Sequence, residues 1–167
     1  MNPNLSGPEA VGFLHHDHTD CVAEALSAAE HHCDRKGLRF TPVRRRALEI
    51  LLEEHRAIGA YEMLGRLQAE GLGAQPPAAY RALDFLVAQH FAHKVERLNA
   101  FVACAHPGAD HAPAFLICRG CSRVAETLAL PLDAPLDDTI DASGFLVEKV
   151  VFEAEGICAE CQSKETS

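Results

Sequence analysis

Two Cys-x-x-Cys motifs constrain the fold of this chain more than any other feature of its sequence. They are formed by Cys118 and Cys121 and by Cys158 and Cys161. Each motif brings two sulfurs close together, and two motifs supply the four ligands of a closed tetrahedral zinc site. Thirty-six residues separate Cys121 from Cys158, which leaves room for a helix and a strand. The pattern predicts a structural zinc site that joins the start of a small domain to its end.

The cysteine pairs have two other interpretations, which are unrelated turns and a redox-active pair. A redox Cys-x-x-Cys motif normally lies in a thioredoxin-like βαβ unit, and this sequence has no pattern of that kind. Neither a signal peptide nor an apolar run of about 18 residues is evident, so the chain is expected in the cytoplasm and not in a membrane. Disulfides are disfavoured in that reducing compartment, which favours metal ligation.

The basic charge of the chain is concentrated in one segment, although the net charge is −9. Residues 34–97 contain 11 Lys and Arg against 8 Asp and Glu, whereas residues 98–167 contain 4 against 11. Because phosphate repels an acidic surface, the acidic segment is expected to face away from nucleic acid. The basic segment is therefore the candidate DNA-binding part.

Helical periodicity followed by strand periodicity predicts a winged helix-turn-helix domain over residues 19–103. A capping threonine before proline, Thr41-Pro42, marks one helix start, and Pro76-Pro77 marks another. His90 is predicted to face inward at the end of the fourth helix. The expected helices cover about 19–36, 42–58, 60–70 and 76–90, and the expected strands cover 91–96 and 99–103.

A polar hinge at residues 104–112 is predicted to lead into a smaller zinc-stapled domain over residues 113–167. Residues 1–18 are predicted to be a disordered lead-in, whose histidines at positions 15, 16 and 18 are either incidental or metal-binding. The elements expected in the smaller domain are strands 114–118, 123–128 and 145–154 and a helix over 135–142. Both parts together form an α+β fold.

A second, mixed set of possible metal ligands straddles the domain boundary. It comprises His93, Cys104, His111 and Glu126. Two neutral imidazoles, one thiolate and one carboxylate carry a charge of −2, which matches a divalent cation, and this donor set suits Zn²⁺. A cation bound there would join the two domains, so its occupancy would set their relative angle.

Each member of this mixed set also has an ordinary structural interpretation. His93 and His111 are then solvated histidines, Cys104 is a small buried hydrophobe and Glu126 is an exposed strand acid. His106 competes with His111 for the same role. Spacing alone leaves these alternatives open.

Several ordered segments resemble the ferric uptake regulator (Fur) family, and most closely its zinc uptake regulator (Zur) branch. The resemblance covers about residues 20–162. The segments that carry it are 38–44 (LRFTPVR), 80–86 (YRALDFL), 91–96 (FAHKVE), 115–121 (FLICRGC) and 156–161 (GICAEC). It implies a homodimer, paired through the C-terminal α/β domain, that binds double-stranded DNA operators and represses zinc-uptake genes when zinc is plentiful.

The resemblance also implies roles for both ligand sets, and hence two Zn²⁺ per subunit. The mixed set matches the family's regulatory ligands, and the four motif cysteines match its structural ligands. The iron-sensing branch carries a His-His-x-His motif before the first Cys-x-x-Cys, whereas residues 111–117 read HAPAFLI, which argues against a third metal site. The chain departs from the family at Ala78-Ala79, where Thr-Val is usual, and at His90, where glycine is common.

The fourth helix is expected to enter the major groove of a palindromic operator. Arg81 is the best candidate for reading bases or contacting the backbone, and Tyr80 or Tyr61 for contacting phosphate or a thymine methyl. Arg39 and Arg44 are candidates for phosphate contacts around the start of the second helix. The alternative for this arginine-rich stretch is a solvated helical face.

Three other functions compete with this interpretation. A sensor of iron, nickel or peroxide would use the same scaffold. A zinc hydrolase or deaminase would need an open coordination position, and the deaminase pattern of His-x-Glu followed by Pro-Cys-x-x-Cys is absent, so an enzyme is not expected. A zinc-stapled protein-interaction module would bind no DNA.

Overall fold

The computed structural model describes residues 18–54, 56–72, 75–107, 111–128, 134–148 and 150–165 of the 167-residue chain. The predicted lead-in lies outside these residues, except for its last residue, at which the first helix begins. The described helices are α1 (His18–Lys36), α2 (Pro42–Glu53), α3 (Ala60–Ala69), α4 (Pro76–Ala88), α5 (Ala134–Ser143) and α6 (Ala159–Glu165). The described strands are β1 (Ile58–Gly59), β2 (Ala92–Val95), β3 (Ala100–Ala103), β4 (Pro113–Cys118), β5 (Val124–Leu128) and β6 (Phe152–Gly156).

Local chemistry sets the ends of the N-terminal helices. The backbone of Thr41 is extended, and its hydroxyl accepts a hydrogen bond from the N–H of Arg44 at 3.4 Å, as an N-cap does. Proline follows in the first turn of α2, and Pro76 likewise opens α4. The first four helices pack around one apolar core, whose fully buried members include Ile50, Leu51, Met63, Leu67, Leu83 and Leu86.

The inward position predicted for His90 is wrong. Its side chain is exposed and its φ is +58°, in the left-handed region. The N–H of His90 bonds to the carbonyl of Val87, and the N–H of Phe91 bonds to that of Leu86, which together form a Schellman cap. His90 therefore ends α4 at the C-cap position that glycine most often takes.

The wing is a three-stranded antiparallel sheet in the order β1-β3-β2. β2 and β3 lie within the predicted strands, and the turn between them covers residues 96–99. β1 was not predicted because a two-residue strand has no periodicity to detect. Ile58 of β1 is fully buried beside Phe101 of β3, so this strand ties the wing to the helical core.

The C-terminal sheet has the order β5-β4-β6, with β5 antiparallel and β6 parallel to β4. Only part of the predicted strand 145–154 forms, because β6 begins at Phe152. Phe145 and Leu146 are 67% and 80% exposed, so their apolar pattern does not reflect burial within one chain. The short helix α6, which carries Cys161, was not predicted.

The wing and the C-terminal sheet share a second apolar cluster. Val95 and Val102 of the wing pack with Phe115, Ile117 and Val124 of the C-terminal half. A β-bridge between Arg56 and Arg123 joins the halves at another point. Within the described residues, no helix is long and apolar enough to cross a membrane.

Candidate metal centres and nucleic-acid surface

The four motif cysteines converge on one point of the C-terminal half. Their sulfurs all lie within 4.8 Å of one another, and those of Cys121 and Cys158 are 3.8 Å apart. A tetrahedron with Zn–S bonds of 2.3 Å has edges of about 3.8 Å. The arrangement has the size and donor set of a closed four-thiolate zinc site.

The two knuckles are positioned by neighbouring strands. Cys118 ends β4, and Cys158 lies just beyond β6, which is hydrogen-bonded to β4 in parallel. The N–H of Arg119 bonds to the carbonyl of Gly156 at 2.9 Å and fixes one turn against the other. A Cβ atom on Gly120 would lie 3.0 Å from the sulfur of Cys161, so a side chain at this position would crowd the second knuckle.

Backbone amides tune the acidity of these thiols. The N–H of Cys158 lies 3.3 Å from the sulfur of Cys118 and, with amides of the first knuckle, lowers the pKa of Cys118 to about 6. Burial raises the pKa of Cys161 to about 12, and the neighbouring sulfurs act in the same direction. Cys118 is therefore poised as a thiolate, whereas Cys161 needs a nearby positive charge to ionise.

The mixed set also converges, although its members come from both halves. β2 carries His93, Cys104 follows β3, His111 precedes β4 and β5 carries Glu126. Nε2 of His111 is 2.7 Å from Oε1 of Glu126 and 3.6 Å from Sγ of Cys104. All four donor atoms lie within 4.8 Å of one another.

The four side chains of the mixed set, here called the interdomain cluster, are buried. Side-chain exposure is 11% for His93, 8% for His111 and 4% for Glu126, and Cys104 is 5% exposed. Nε2 of His93 is buried without a hydrogen-bond partner, although it lies 3.4 Å from Oε1 of Glu126. A buried polar atom without a partner is costly, so its direction toward the other donors fits a shared cation.

The charges of the cluster also fit a cation. Burial acts to raise the pKa of Glu126, but the nearby imidazole of His93 and hydrogen bonds from the N–H of Ala105 and from His111 hold it below its usual value. Burial raises the pKa of Cys104 to about 12, with a further contribution from the charge of Glu126. One fixed carboxylate thus faces a thiol that ionises only beside a positive charge.

The structure distinguishes the two histidines that competed for one role. His111 lies in the cluster, whereas His106 is exposed and its ring centroid is 5.6 Å from that of His111. The N–H of His106 bonds to the sulfur of Cys104 at 3.3 Å, so this residue contacts the cluster through its backbone.

The exposed face of α4 carries the candidate base-reading residue. Arg81 is exposed, and its Nε donates to the carbonyl of Pro77 at 3.0 Å, one turn earlier on α4. Tyr61 is 80% exposed and Tyr80 42%, and both line a groove of about 460 Å³ between α3, α4 and the wing. Lys94 also lines this groove, and the alternation of a strand could have identified it, since it faces away from its neighbour His93.

The arginines around the start of α2 differ in their surroundings. Arg39 is exposed, whereas the guanidinium of Arg44 lies 3.7 Å from the centroid of the Phe85 ring and donates to the carbonyl of Arg39. Arg45 forms ion pairs with Glu30 and Glu49, and Arg46 with Glu49, Glu53 and Glu70. Much of this basic charge is therefore neutralised within the N-terminal half.

The chain is similar to known zinc uptake regulators over most of its length, although no family model matches it. It is 37% identical over 139 residues to the zinc uptake regulation protein of Escherichia coli (strain K12), which is 83% of this chain and 81% of that protein. A zinc uptake regulator complexed with zinc and DNA matches with a TM-score of 0.81 and 36% identity, covering 87% of this chain and 98% of the other.

The structure of XcZur has been solved in holo and apo forms. Holo XcZur matches with a TM-score of 0.73 and 38% identity, covering 83% of this chain and 96% of the other. Apo XcZur matches with a TM-score of 0.50 and 39% identity, covering 86% of this chain and 99% of the other. The fold of this chain as a whole is therefore more similar to the holo form than to the apo form.

Proposed function

Because the chain belongs to the zinc uptake regulator branch of the ferric uptake regulator family, we propose that it is a zinc-responsive transcriptional repressor. It binds palindromic operators of zinc-uptake genes as a homodimer when the interdomain cluster holds zinc. The observation that carries this proposal is the convergence of His93, Cys104, His111 and Glu126 from both sides of the domain boundary.

The position of His93 couples metal binding in the cluster to the orientation of the DNA-reading helix. His93 lies on β2, only three residues beyond His90, which ends α4. His111 and Glu126 hold the other side of the cluster on or beside the C-terminal sheet. Zinc supplies strong, directional bonds to nitrogen, sulfur and oxygen donors when it is bound in such a set. Holding His93 against His111 and Glu126 therefore fixes α4 relative to the C-terminal half.

The relatives support a switch of this kind. One zinc uptake regulator was solved with zinc and DNA. The holo form of XcZur has a higher TM-score to this chain than the apo form has. Fixing the two copies of α4 at the spacing of successive major grooves raises operator affinity, and by linkage operator binding raises zinc affinity by the same factor.

The four motif cysteines are proposed to hold a second, structural zinc, which gives two Zn²⁺ per subunit. Cys118 ends β4 and Cys121 follows it, whereas Cys158 follows β6 and Cys161 lies in α6, so one site ties together most of the small sheet. Structural zinc contributes about 10 kcal/mol or more of apparent binding free energy, which becomes folding free energy in a domain with a small core.

The DNA surface is proposed to consist of α4 and the residues beside it. Arg81 reads base edges or grips the backbone, and Tyr80 and Tyr61 contact phosphate or a thymine methyl from the walls of the groove. Arg39 and Arg44, at the start of α2, contact phosphate.

Dimerisation is proposed to cover the exposed apolar segment between α5 and β6. Phe145, Leu146, Val150 and Val151 are 67%, 80%, 37% and 41% exposed. Several exposed apolar side chains within one short segment are characteristic of an interface. A second copy of the chain would bury the segment and place two reading helices about one two-fold axis, in the cytoplasm where the operator lies.

The comparisons do not favour a sensor of another metal or of peroxide. The relatives that share more than a third of their residues with this chain are zinc uptake regulators. We accordingly propose that this chain is a regulator of transcription and not an enzyme.

Operator binding titrated against buffered free zinc tests the proposal. The stripped dimer should bind a palindromic duplex from a zinc-uptake promoter at least about tenfold more tightly once zinc is added, a coupling of typical size. A duplex of scrambled sequence is the control, and Fe²⁺ and Ni²⁺ are the competing metals. Zinc-independent binding, or a stronger response to iron or nickel, would contradict it.

A further inference from the structure

The tip of the wing is held by two glutamates of the C-terminal half. The carboxylate of Glu153 accepts hydrogen bonds from two consecutive backbone amides of the wing turn, those of Glu96 at 2.6 Å and Arg97 at 2.9 Å. Nε of Arg97 donates to Oε2 of Glu155 at 2.6 Å. More than 55 residues separate the partners in sequence, so none of these bonds is local. We call this set the wing-tip latch.

Strand geometry directs both glutamates at the wing. Glu153 and Glu155 are two residues apart on β6, so their side chains leave the same face of the strand. The wing turn presents two amide N–H groups side by side, and Asn99 closes the turn with a φ of +46°. A carboxylate that accepts two backbone N–H groups is a charge-assisted contact, which is stronger and more directional than a neutral one.

The latch connects the same two halves as the interdomain cluster does, at a different place. Along the chain, Glu96 lies three residues beyond the cluster ligand His93, and Glu155 lies three residues before the knuckle cysteine Cys158. A contact that favours the arrangement in which the four cluster donors meet reduces the free energy that metal binding must supply. Zinc then binds more tightly to a chain whose halves are already held together.

We propose that the wing-tip latch sets the free-zinc concentration at which the repressor responds, without itself binding zinc or DNA. This inference rests on the proposed function. Glu153 acts as a positioning residue: it raises the fraction of metal-free molecules whose four donors are already converged. Arg97 forms the wing side of the latch through its backbone N–H and its guanidinium. Because the guanidinium is paired with Glu155, it does not contact DNA phosphate.

The test is a pair of zinc titrations of the full-length dimer, one followed by competition with a chelator of known affinity and one by operator binding. Glu153→Ala should shift both zinc midpoints to about five- to tenfold higher free zinc, because charge-assisted contacts between the halves are lost. Operator affinity at saturating zinc should stay within about twofold of wild type, and two zincs per subunit should still bind. Glu155→Gln, which removes only the pair with Arg97, should give a smaller shift in the same direction.

Asp138→Asn is the matched control, since Asp138 is an exposed acid of the same half that lies on α5, and it should leave both midpoints unchanged. The latch is refuted if Glu153→Ala leaves the midpoints unchanged. It is also refuted if operator affinity at saturating zinc falls while the chelator midpoint stays fixed, because Glu153 would then support DNA contact or folding only. Failure of the proposed function is distinguishable, because wild-type operator binding would then not depend on zinc at all.

Discussion

Nε2 of His111 lies 2.7 Å from Oε1 of Glu126, and the same oxygen lies 3.4 Å from the unpartnered Nε2 of His93. One carboxylate oxygen thus faces an imidazole from each half of the chain. His93 is the only ligand that β2 contributes to this set. Removing its ring should therefore weaken metal binding in the cluster while the rest of the fold is kept.

His93→Ala should abolish the zinc dependence of operator binding without unfolding the dimer. Loss of one of four ligands should weaken zinc at the interdomain cluster by at least about 100-fold, since even partners outside the ligand set are worth 10- to 100-fold. Metal analysis after gel filtration should find one zinc per subunit in the variant. His106→Ala is the control, because His106 lies outside the cluster, and an unchanged zinc midpoint in His93→Ala would contradict the assignment.

Cys161→Ser should unfold the C-terminal half. The site loses a thiolate, and with it much of the roughly 10 kcal/mol of apparent zinc binding free energy that folding draws on. Gel filtration should show loss of the dimer, and far-UV circular dichroism should show loss of sheet. Cys104→Ser keeps all four motif cysteines and should remain a folded dimer. A dimeric Cys161→Ser protein of normal thermal stability would exclude the structural role.

Gly120→Ala should loosen the four-cysteine site without removing a ligand. The new methyl would lie 3.0 Å from the sulfur and 3.1 Å from Cβ of Cys161, so the second knuckle must shift. We expect a cost of about 1–3 kcal/mol in the free energy of unfolding and faster zinc loss to a chelator. Gly65→Ala is the matched control, since nothing lies within 4 Å of its Cβ position on α3. That variant should be stabilised by about 0.5–1 kcal/mol, and equal stability of the two variants would refute the packing argument.

His90→Gly should stabilise the chain. His90 has a φ of +58°, a conformation that costs a residue with a side chain roughly 1 kcal/mol and costs glycine nothing. Chemical denaturation should show a gain of a few tenths to about 1 kcal/mol, since the unfolded chain also gains freedom with glycine. Gly37→Ala, at a φ of +64° with open space around it, should lose a similar amount. A destabilised His90→Gly protein would mean that the imidazole makes a contact of its own.

Arg81→Ala should abolish operator binding while both zinc sites still fill. A bidentate arginine–guanine contact is worth about 1–3 kcal/mol, and a two-fold dimer loses it twice. Fluorescence anisotropy with the operator duplex measures the loss, and metal analysis confirms the zinc content. Lys164→Ala on α6 removes the same charge at a place outside the reading helix, and this variant should bind the operator normally. Retained operator affinity in Arg81→Ala would place recognition elsewhere.

Sequence predicted those parts of the fold that local chemistry determines. Thr41-Pro42 and Pro76-Pro77 mark helix starts, and both helices begin there. The winged-helix and α/β architecture was expected from periodicity and from the family resemblance, and the structural relatives confirm it. The convergence of His93 with Cys104 depends on the pairing of β2 with β3, which a hairpin with a short turn fixes.

Other features depend on contacts that no local pattern encodes. β1 is too short to show periodicity, and the apolar residues between α5 and β6 resemble a strand in sequence although their side chains are exposed. The capping role of His90 was missed, although the glycine common at this position in the family was a signal for a positive φ. The two hydrogen bonds from the wing turn to Glu153 join residues that are 56 and 57 positions apart in the sequence. In the sequence itself, Glu153 is only one acidic residue among many.

The ion pairs of the N-terminal half bear on how the protein searches a genome. The guanidinium groups of Arg45, Arg46, Arg56 and Arg66 are engaged by glutamates of their own half. Fewer basic side chains then remain to displace counterions from a duplex of arbitrary sequence, and non-specific affinity depends on how many are displaced. Occupancy of random DNA should be lower, and its dependence on ionic strength weaker, than the number of basic residues in this half would suggest. Discrimination would then come as much from weak attachment to the wrong sites as from tight attachment to the right one.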